Sequence, residues 1–462
     1  MNLKLFNTLG RKLELFKPIK DKEVGIYSCG PTVYLYQHIG NLRSYIFADI
    51  LKRTLLYDGF KVKHVMNYTD VGHLTSDADE GEDKMEVAVK RENKTAKEIA
   101  KHYINVFEKD SKKLNIIPPN IKCKATEHIN EQIELIKTLE KKGFTYKTED
   151  GIYFDTSKFK DYGKLALLNI EGLESGKRIE KGEKKNKTDF ALWKFSEEPG
   201  KRQQEWKSPW GLGFPGWHIE CSAMSSKYLG HQFDIHTGGE DHIPVHHTNE
   251  IAQSEAAFGK KPWVKYWLHG AFLMFKGEKV SKSKGGLYAI SELEELGYNP
   301  LDFRYLCLLT HYRKPLDFSV ESLNAAKQAY DRLKNKIIEL KKGNSSKSSK
   351  NNFKEQFEEA IDDDLNVPKA LGIVWELINN SSLGSKQKLE LLKCFDEILG
   401  LNLIKAKEEK INIPKEINDL IKKRESARNN KDFKTADKIR DEIKSKGYSI
   451  EDSKEGLKIR KI

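Results

Sequence analysis

The fold of this chain is decided by the stretch VGIYSCGPTVYLYQHIGNLRSYIFADIL, residues 24–51. Its first part, Val24 to Ser28, has the character of a short buried strand, which Cys29-Gly30-Pro31 closes. From about Gly40 the apolar residues recur at helix spacing, and Lys61 to Tyr68 then alternates polar and apolar residues like a second strand. The order strand, loop, helix, strand predicts a parallel sheet with helices packed on its faces.

A second group of apolar segments extends this sheet. The pattern resumes with a strand at Phe233 to His236, a helix from about Pro244 to Phe258, and a strand around Tyr266 to His269. Between the two groups, the stretch from about Ile121 to Glu205 changes character and includes a charged loop over 180–187, so we interpret it as an insertion. These features predict an α/β fold, a Rossmann-like doubly wound parallel sheet interrupted by an insertion.

The rest of the chain is helical and basic. Long amphipathic helices follow Leu316, with a solvated connector at 343–346 and a second linker around 405–414. The end of the chain is predicted to form helices and a terminal hairpin, a small α+β module. The predicted divisions are 1–120 and 206–275 for the two halves of the Rossmann-like domain, 121–205 for the insertion, 276–318 for a connecting region, 319–405 for a helical bundle and 412–462 for the C-terminal module.

Composition limits the partners and the compartment. The 462 residues carry a net charge of +12, which favours an anionic partner such as nucleic acid, although a lysine-rich composition alone has the same effect. No run approaches the roughly 18 apolar residues of a membrane helix, and the start has no signal-peptide pattern. The five cysteines are scattered and odd in number, which indicates reduced thiols. We expect a cytoplasmic protein with no membrane partner.

Two separated segments have the chemistry of a phosphate site. The tetrapeptide at 38–41 stands where a helix begins, and a helix start offers unpaired N–H groups to an anion. Gly40 would permit close backbone approach, and His38 would stabilise charge that develops at a reacting phosphate. The stretch KVSKSKG, residues 279–285, would form a mobile cationic loop able to close over a triphosphate. Taken alone, either segment is also typical of a solvated turn or helix start.

In this order and separation the two segments resemble the signatures of class I aminoacyl-tRNA synthetases. The resemblance implies that His38 and Asn41 belong to an ATP site. It also implies that Lys279 and Lys282 stabilise the transition state in which an amino-acid carboxylate displaces pyrophosphate. Asn41 replaces the usual His of the first signature and Val280 the usual Met of the second. Asn41 still donates a hydrogen bond but carries no charge.

Four other side chains form a plausible zinc set. His246 and Glu250 are four residues apart on a predicted helix, so they share one face as paired metal ligands require. Cys29 follows the first strand, at the sheet edge where ligands collect in open α/β folds. Together with Cys221 they supply two thiolates, an imidazole and a carboxylate, which suit zinc. Spacing alone does not pair the two cysteines, since either is also typical of a small core residue. His247 is expected to point elsewhere on the helix.

Longer motifs make the resemblance specific. The chain resembles the cysteinyl-tRNA synthetases from its first residues to its last, in the stretches CGPTVY (29–34), NYTDVGH (67–73), DFALWK (189–194), GWHIECSAM (216–224) and HHTNEIAQS (246–254). This implies that one zinc ion is held by Cys29, Cys221, His246 and Glu250, and that the thiolate of L-cysteine binds the metal. The implied amino-acid pocket contains Thr69, Trp217 and His236. The implied site for ATP, with Mg²⁺ accompanying the nucleotide, contains Gly30, His38, Gly40, Asn41, Gly238, Asp241 and Lys282.

The basic C-terminal end is the predicted tRNA-binding part. Lys431 to Asp441 has helical spacing, and the segment around Ile450 to Arg460 suggests two short strands. The resembled family has an anticodon-reading module at this place, after a helical bundle. The resemblance implies tRNA(Cys) as the partner and a monomer as the working state. Arg440 and Arg460 are candidate base contacts.

Other functions share parts of this pattern. A ligase that passes activated cysteine to an amino sugar resembles the catalytic half but lacks the module at 414–462. A non-catalytic RNA-binding paralogue would be expected to lose the phosphate loop or a zinc ligand, whereas only Asn41 departs here. A structural zinc protein would not need the two phosphate segments, and the Cys-x-x-Cys knuckle of methionyl-tRNA synthetase is absent from the sequence. The prediction is therefore an enzyme that activates cysteine with ATP and loads it onto tRNA(Cys).

Overall fold

The computed structural model describes residues 2–73, 82–168, 184–275, 278–279, 288–343, 345, 347, 349–407, 414–453 and 456–461. Lys282 and its neighbours in the predicted cationic loop lie outside the described residues, as do residues 180–183 of the predicted charged loop. The chain divides into two compact units, Met1–Lys405 and Ala406–Ile462, and each is described by itself.

The first unit alternates strands and helices before it becomes helical. Its strands are β1 (Lys4–Asn7), β2 (Lys12–Leu15), β3 (Glu23–Ser28), β4 (Lys61–Tyr68), β5 (Ile121–Lys124), β6 (Thr145–Lys147), β7 (Gly151–Phe154), β8 (Phe190–Phe195), β9 (Trp206–Ser208), β10 (Gly211–Pro215), β11 (Phe233–Gly239), β12 (Val264–Gly270), β13 (Leu273–Phe275), β14 (Glu278–Lys279) and β15 (Leu316–Phe318). Its helices are α1 (Ile39–Tyr57), α2 (Lys84–Glu92), α3 (Ala96–Lys113), α4 (Ile129–Lys141), α5 (Trp217–Leu229), α6 (His246–Phe258), α7 (Ile290–Glu295), α8 (Pro300–Leu308), α9 (Val320–Lys342), α10 (Phe353–Asp362), α11 (Val367–Asn379) and α12 (Ser385–Leu399).

The central sheet is parallel and has the strand order β12-β11-β3-β4-β5. The apolar side chains of β3 and β11 are buried because α1 and α5 pack against this sheet. The four strands expected from the sequence all lie in it, so the predicted parallel sheet is confirmed. Parallel strands end at one edge of the sheet, and here that edge carries Cys29 after β3, Thr69 after β4 and Gly239 at the end of β11. Helix α1 begins next to the same loops, with His38 as its N-cap.

The predicted insertion forms a sheet of its own. Strands β6 to β10 pair antiparallel in the order β6-β7-β8-β10-β9. They share an apolar cluster with α4 and α6 that contains Ile136, Phe154 and Trp193. Because β9 and β10 continue this sheet to Pro215, it runs past residue 205, and β5 at the other end belongs to the central sheet. The domain limits set from the sequence otherwise stay predictions.

A buried charge cluster joins the sheet domain to the helices that follow it. Asp49 of α1 accepts hydrogen bonds from Arg53 Nε (2.7 Å), Arg304 Nη2 (2.6 Å) and the backbone N–H of Ile117 (2.7 Å). Arg304, on α8, also donates to the carbonyl of Leu399 at the end of α12 (2.9 Å). Asp49 and Arg304 are fully buried, so their charges depend on one another. Helices α1, α8 and α12 are thereby held together.

The second unit consists of α13 (Lys415–Asn429), α14 (Phe433–Ser445), β16 (Tyr448–Ser453) and β17 (Gly456–Lys461). Ile417, Ile421, Ile443 and Tyr448 form its apolar core. The strands pair antiparallel, which confirms the predicted terminal hairpin. Across the described part of the chain, none of the helices combines the length and apolar composition that crossing a bilayer requires.

The charge cluster predicts a large loss of stability when its carboxylate is removed. Asp49→Ala leaves Arg53 and Arg304 without a counter-charge, and breaking a buried ion pair costs about 3–5 kcal/mol. Urea unfolding followed by fluorescence should show a large drop in midpoint. Glu23→Ala is the matched control, because its pair with Lys61 (3.2 Å) is exposed and worth about 0–1 kcal/mol. Equal decreases of the urea midpoint in the two variants would contradict the stabilising role assigned to the charge cluster.

Candidate active site

A cleft of about 220 Å³ opens at the edge where the parallel strands end. It is lined by residues from the ends of β3, β4 and β11 and from α1, α2, α5 and α6. The predicted site residues that line it are Cys29, Gly30, Asn41, Thr69, Trp217, Cys221, Gly238, Asp241 and His246. The fold therefore brings to one cavity residues that are more than 200 positions apart in the sequence.

Ligand atoms of four side chains converge on one side of the cleft. Atoms of Cys29, His246, His247 and Glu250 that can bind a metal lie within 4.8 Å of one another. His246 Nε2 is 3.1 Å from Glu250 Oε1, one helical turn further along α6. Three of the four predicted ligands are thus brought together. The fourth member of this cluster is His247, whose Nε2 is 3.2 Å from Cys29 Sγ.

The expectation that His247 points away was wrong. Residues three apart on a helix share a face almost as residues four apart do, and His247 Nε2 lies 3.9 Å from Glu250 Oε1. On its other side, His247 Nδ1 is 2.8 Å from His269 Nε2. The His247 ring is therefore fixed between Cys29 and His269.

Cys221, the remaining predicted ligand, borders the same group. Its thiol is hydrogen-bonded with Cys29 and with His246. The hydrogen bond with Cys29 lowers the pKa of Cys221 to about 7, against the opposing effect of burial. Burial, reinforced by Cys221, raises the pKa of the Cys29 thiol.

Glu250 lies beneath the cleft and is fully buried. Burial alone would raise its pKa, but the neighbouring His236 and His246 hold that pKa at about 2. His236 Nε2 donates to Glu250 Oε2 (3.1 Å), whereas no described residue donates a hydrogen bond of acceptable geometry to Glu250 Oε1. A buried carboxylate oxygen in this condition, beside two thiols and an imidazole, fits the donor set of a divalent zinc ion.

His236 has a different place from the one expected. It was predicted to line the amino-acid pocket, but the side chain is 0% exposed and is not among those lining the cleft. Its ring stacks on Trp267 at 4.6 Å and faces Glu250. Trp217, by contrast, lines the cleft and stacks on His246 at 4.3 Å.

The predicted phosphate end is built around the start of α1. His38 Nδ1 accepts a hydrogen bond from the backbone N–H of Asn41 (3.3 Å), and Asn41 lines the cleft. His38 and Gly40 lie beside it rather than in its lining. Lys279 is in β14, which pairs with β13 through Met274. The side chains of Lys279 and Lys282 lie outside what the structure describes.

Sequence reasoning also missed residues that the fold adds to the cleft. Lys84, Asn67, Gln37 and Tyr45 line it. Of these, Lys84 had the clearest signal, because it follows Asp83, an acidic residue at a helix start.

Comparison with known proteins places these features in a family. Residues 15–328 match the family described as tRNA synthetases class I (C) catalytic domain. Residues 356–403 match the DALR domain, and residues 412–460 match the cysteinyl-tRNA ligase anticodon binding domain.

The chain belongs to the cysteinyl-tRNA synthetase family. Its relatives match along nearly the whole length. The cysteine–tRNA ligase 1 of Burkholderia lata is 48% identical over 460 residues, covering 99% of this chain and 97% of that protein. The cysteine–tRNA ligase of Treponema denticola is 47% identical over 486 residues, covering 98% of each. As a cysteinyl-tRNA synthetase the chain is an aminoacyl-tRNA ligase, and the predicted enzyme class is confirmed.

Solved structures agree on the fold. Mycobacterium tuberculosis methionyl-tRNA synthetase in complex with methionyl-adenylate aligns with a TM-score of 0.60 at 14% identity, covering 83% of this chain and 93% of that chain. At this identity the likeness concerns the fold alone, and it supports the class I synthetase architecture of the cysteinyl-tRNA synthetases.

The floor of the cleft predicts a strict need for glycine at position 30. A Cβ atom on Gly30 would lie 1.5 Å from the backbone carbonyl oxygen of Asn67, so Gly30→Ala must displace a strand end. Overpacking of this kind costs about 1–3 kcal/mol. Gly372→Ala is the control, because no described atom beyond the neighbouring backbone of its own helix lies within 4 Å of the added Cβ, and alanine stabilises a helix interior by about 0.5–1 kcal/mol. The midpoint temperature of thermal unfolding should fall in Gly30→Ala and rise in Gly372→Ala. A Gly30→Ala protein as stable as the wild type would contradict the close contact with Asn67.

Proposed function

We propose that this chain activates L-cysteine with ATP and transfers it to tRNA(Cys), and that it selects cysteine at a zinc ion held by Cys29, Cys221, His246 and Glu250. The observation that carries this is the buried cluster of thiols, imidazole and carboxylate at one end of the cleft, in a member of the cysteinyl-tRNA synthetase family. When bound there, zinc would supply a Lewis acid that prefers a thiolate sulfur to a hydroxyl oxygen.

Selection of this kind addresses a problem that shape cannot solve. Serine differs from cysteine by one atom, and a pocket distinguishes such near-isosteres by only about 1–3 kcal/mol. Cys221 and His246 line the cleft, and Trp217 and Thr69 line it with them, so a bound amino acid meets the cluster directly. Trp217 and Thr69 form the rest of the proposed amino-acid pocket.

His236 is a positioning residue in this proposal. It donates to Glu250 Oε2 from within the core, which leaves Oε1 directed toward His246. A hydrogen bond from a residue behind a metal ligand fixes the orientation of that ligand and tunes its basicity.

The nucleotide is proposed to occupy the other end of the cleft. The N-terminus of α1 offers its N–H groups and positive dipole to the phosphates of ATP, which carries Mg²⁺. Gly30, Gly40, Gly238 and Asp241 would border the nucleotide. Support comes from Gly238, where a Cβ atom would come within 2.6 Å of the His242 and His247 rings, so the wall of the cleft there is backbone.

Two steps complete the reaction. A carboxylate oxygen of cysteine forms a bond to the α-phosphorus as the bond to the pyrophosphate oxygen breaks, and His38, Asn41, Lys279 and Lys282 would stabilise the charge that develops. A ribose hydroxyl at the 3′ end of the tRNA then attacks the activated carbonyl, and AMP leaves. The contribution of the protein is positioning and charge stabilisation.

The tRNA is proposed to bind along the helical bundle and the second unit. The matches to the DALR domain and to the anticodon binding domain support this, as does the net charge of +12. We propose a monomer that acts in the cytoplasm, where Arg440 and Arg460 are candidates for contact with the anticodon bases.

Exchange of pyrophosphate with ATP tests the activation step. With all twenty amino acids tried separately, exchange should depend on cysteine alone. It should be lost after chelation of the metal and restored by zinc. The proposed function would be contradicted if none of the twenty amino acids supported exchange. It would also be contradicted if cysteine-dependent exchange survived complete removal of the metal.

Two matched variants test the ligand set in the same assay. Cys221→Ser should weaken the binding of cysteine by at least about tenfold while ATP binding changes little, since its thiol borders the cluster. Cys394→Ser, on α12, should behave as the wild type. Equal loss of affinity for cysteine and ATP in Cys221→Ser would show that Cys221 is only a scaffold residue.

A further inference from the structure

Lys84 is a cationic side chain that the sequence did not single out. It is the first residue of α2 and lines the cleft with Asn41, Trp217 and Asp241. Among the described residues that line the cleft, Lys84 is the one lysine or arginine. Cysteine carries a carboxylate and ATP a triphosphate, so both reactants bring negative charge into this cavity.

The backbone that carries Lys84 is held by an N-terminal cap. Asp83 accepts hydrogen bonds from the backbone N–H groups of Met85 (2.7 Å) and Glu86 (3.0 Å). The backbone N–H of Lys84 donates to the carbonyl of His73 (2.9 Å). The first turn of α2 is thereby tied to the loop that follows β4.

The insertion fixes this cap from the other side. Arg202 donates to the Asp83 carboxylate and to the carbonyl of Gly72 (3.2 Å), and its guanidinium lies 3.5 Å from the centre of the Phe214 ring. Gln204 accepts from the backbone N–H of Gly72 (2.8 Å). A Cβ atom at Gly72 would lie 2.1 Å from the Asp83 carboxylate, so this contact needs glycine. We call Asp83, Arg202 and Gln204, with Gly72 between them, the α2 clamp.

The α2 clamp has no need of Lys84 for its own stability. Asp83 already has Arg202 as its counter-charge, and Arg202 is largely buried between Asp83 and Phe214. A lysine placed on so rigid a support, at the wall of a cavity that receives two anions, has the geometry of a binding group rather than of a structural ion pair.

We propose that Lys84 is a catalytic residue whose ammonium group binds the anionic oxygens of the reactants, either the carboxylate of cysteine or the α-phosphate of ATP. This rests on the proposed function, because both anions are reactants of cysteine activation. In either case the positive charge lowers the repulsion between the carboxylate and the phosphate as they approach.

Variants of Lys84 in the complete, zinc-loaded chain test this proposal. Lys84→Met keeps the length of the side chain and removes the charge. It should lower kcat/KM for cysteine-dependent pyrophosphate exchange by about 10²–10³-fold, the loss typical of removing one charge-stabilising donor. Lys84→Arg should recover at least tenfold of that loss. Lys90→Met, an exposed lysine on the same helix, is the control and should stay within twofold of the wild type.

Binding of L-cysteine and of L-cysteinol, which has no carboxylate, distinguishes the two anions. If Lys84 contacts the carboxylate, Lys84→Met weakens cysteine and leaves cysteinol unchanged. If it contacts the α-phosphate, both dissociation constants stay at the wild-type values while kcat falls.

Two results would overturn the proposal. One is a Lys84→Met enzyme whose kcat and KM values lie within twofold of the wild type. The other is a loss of activity that parallels a loss of thermal stability and that Lys84→Arg does not relieve. An inactive wild-type enzyme would instead show that the proposed function itself is wrong.

Discussion

The site depends on a carboxylate that is buried under the end of a parallel sheet. Glu250 is removed from water, and a lone carboxylate at that depth would take up a proton. His236 and His246 keep it ionised, and the thiols of Cys29 and Cys221 border the same group. A divalent cation satisfies such a group. The side chains proposed to select the substrate therefore include Glu250, whose buried negative charge must be balanced by its neighbours.

The rest of the first unit positions this group. Strands β3 and β11 end at the same edge of the central sheet, where they place Cys29 and Gly238. Helix α1 starts beside them with His38 as its N-cap. The pair of Asp49 with Arg304 ties the middle of α1 to α8, and Arg304 also contacts the end of α12. The insertion reaches back through Arg202 to the start of α2. Parts of the chain that fold around separate apolar clusters thus meet at the cleft.

Local pattern predicted four strands of the central sheet and the main helices, because buried strands and a strand–loop–helix order can be recognised from neighbouring residues. Most residues expected at the cleft came instead from the resemblance to the cysteinyl-tRNA synthetases. What it missed is non-local or depends on side-chain direction. His247 was assigned away from Glu250 since only the four-residue spacing was considered, although three residues also share a face. The side chain of His236 faces the core and not the cleft, because it donates a hydrogen bond to Glu250 of α6. Lys84 is held at the site by its neighbour Asp83, which pairs with Arg202, 119 positions further along the chain from Asp83.

We propose that Cys221, and not His247, completes the metal site with Cys29, and that the metal would bind the sulfur of the substrate. X-ray absorption at the zinc edge of the metal-loaded chain counts sulfur ligands directly. We expect two sulfur atoms in the absence of substrate, three with L-cysteine and two with L-serine. A single sulfur without substrate, or a count that cysteine leaves unchanged, would contradict it.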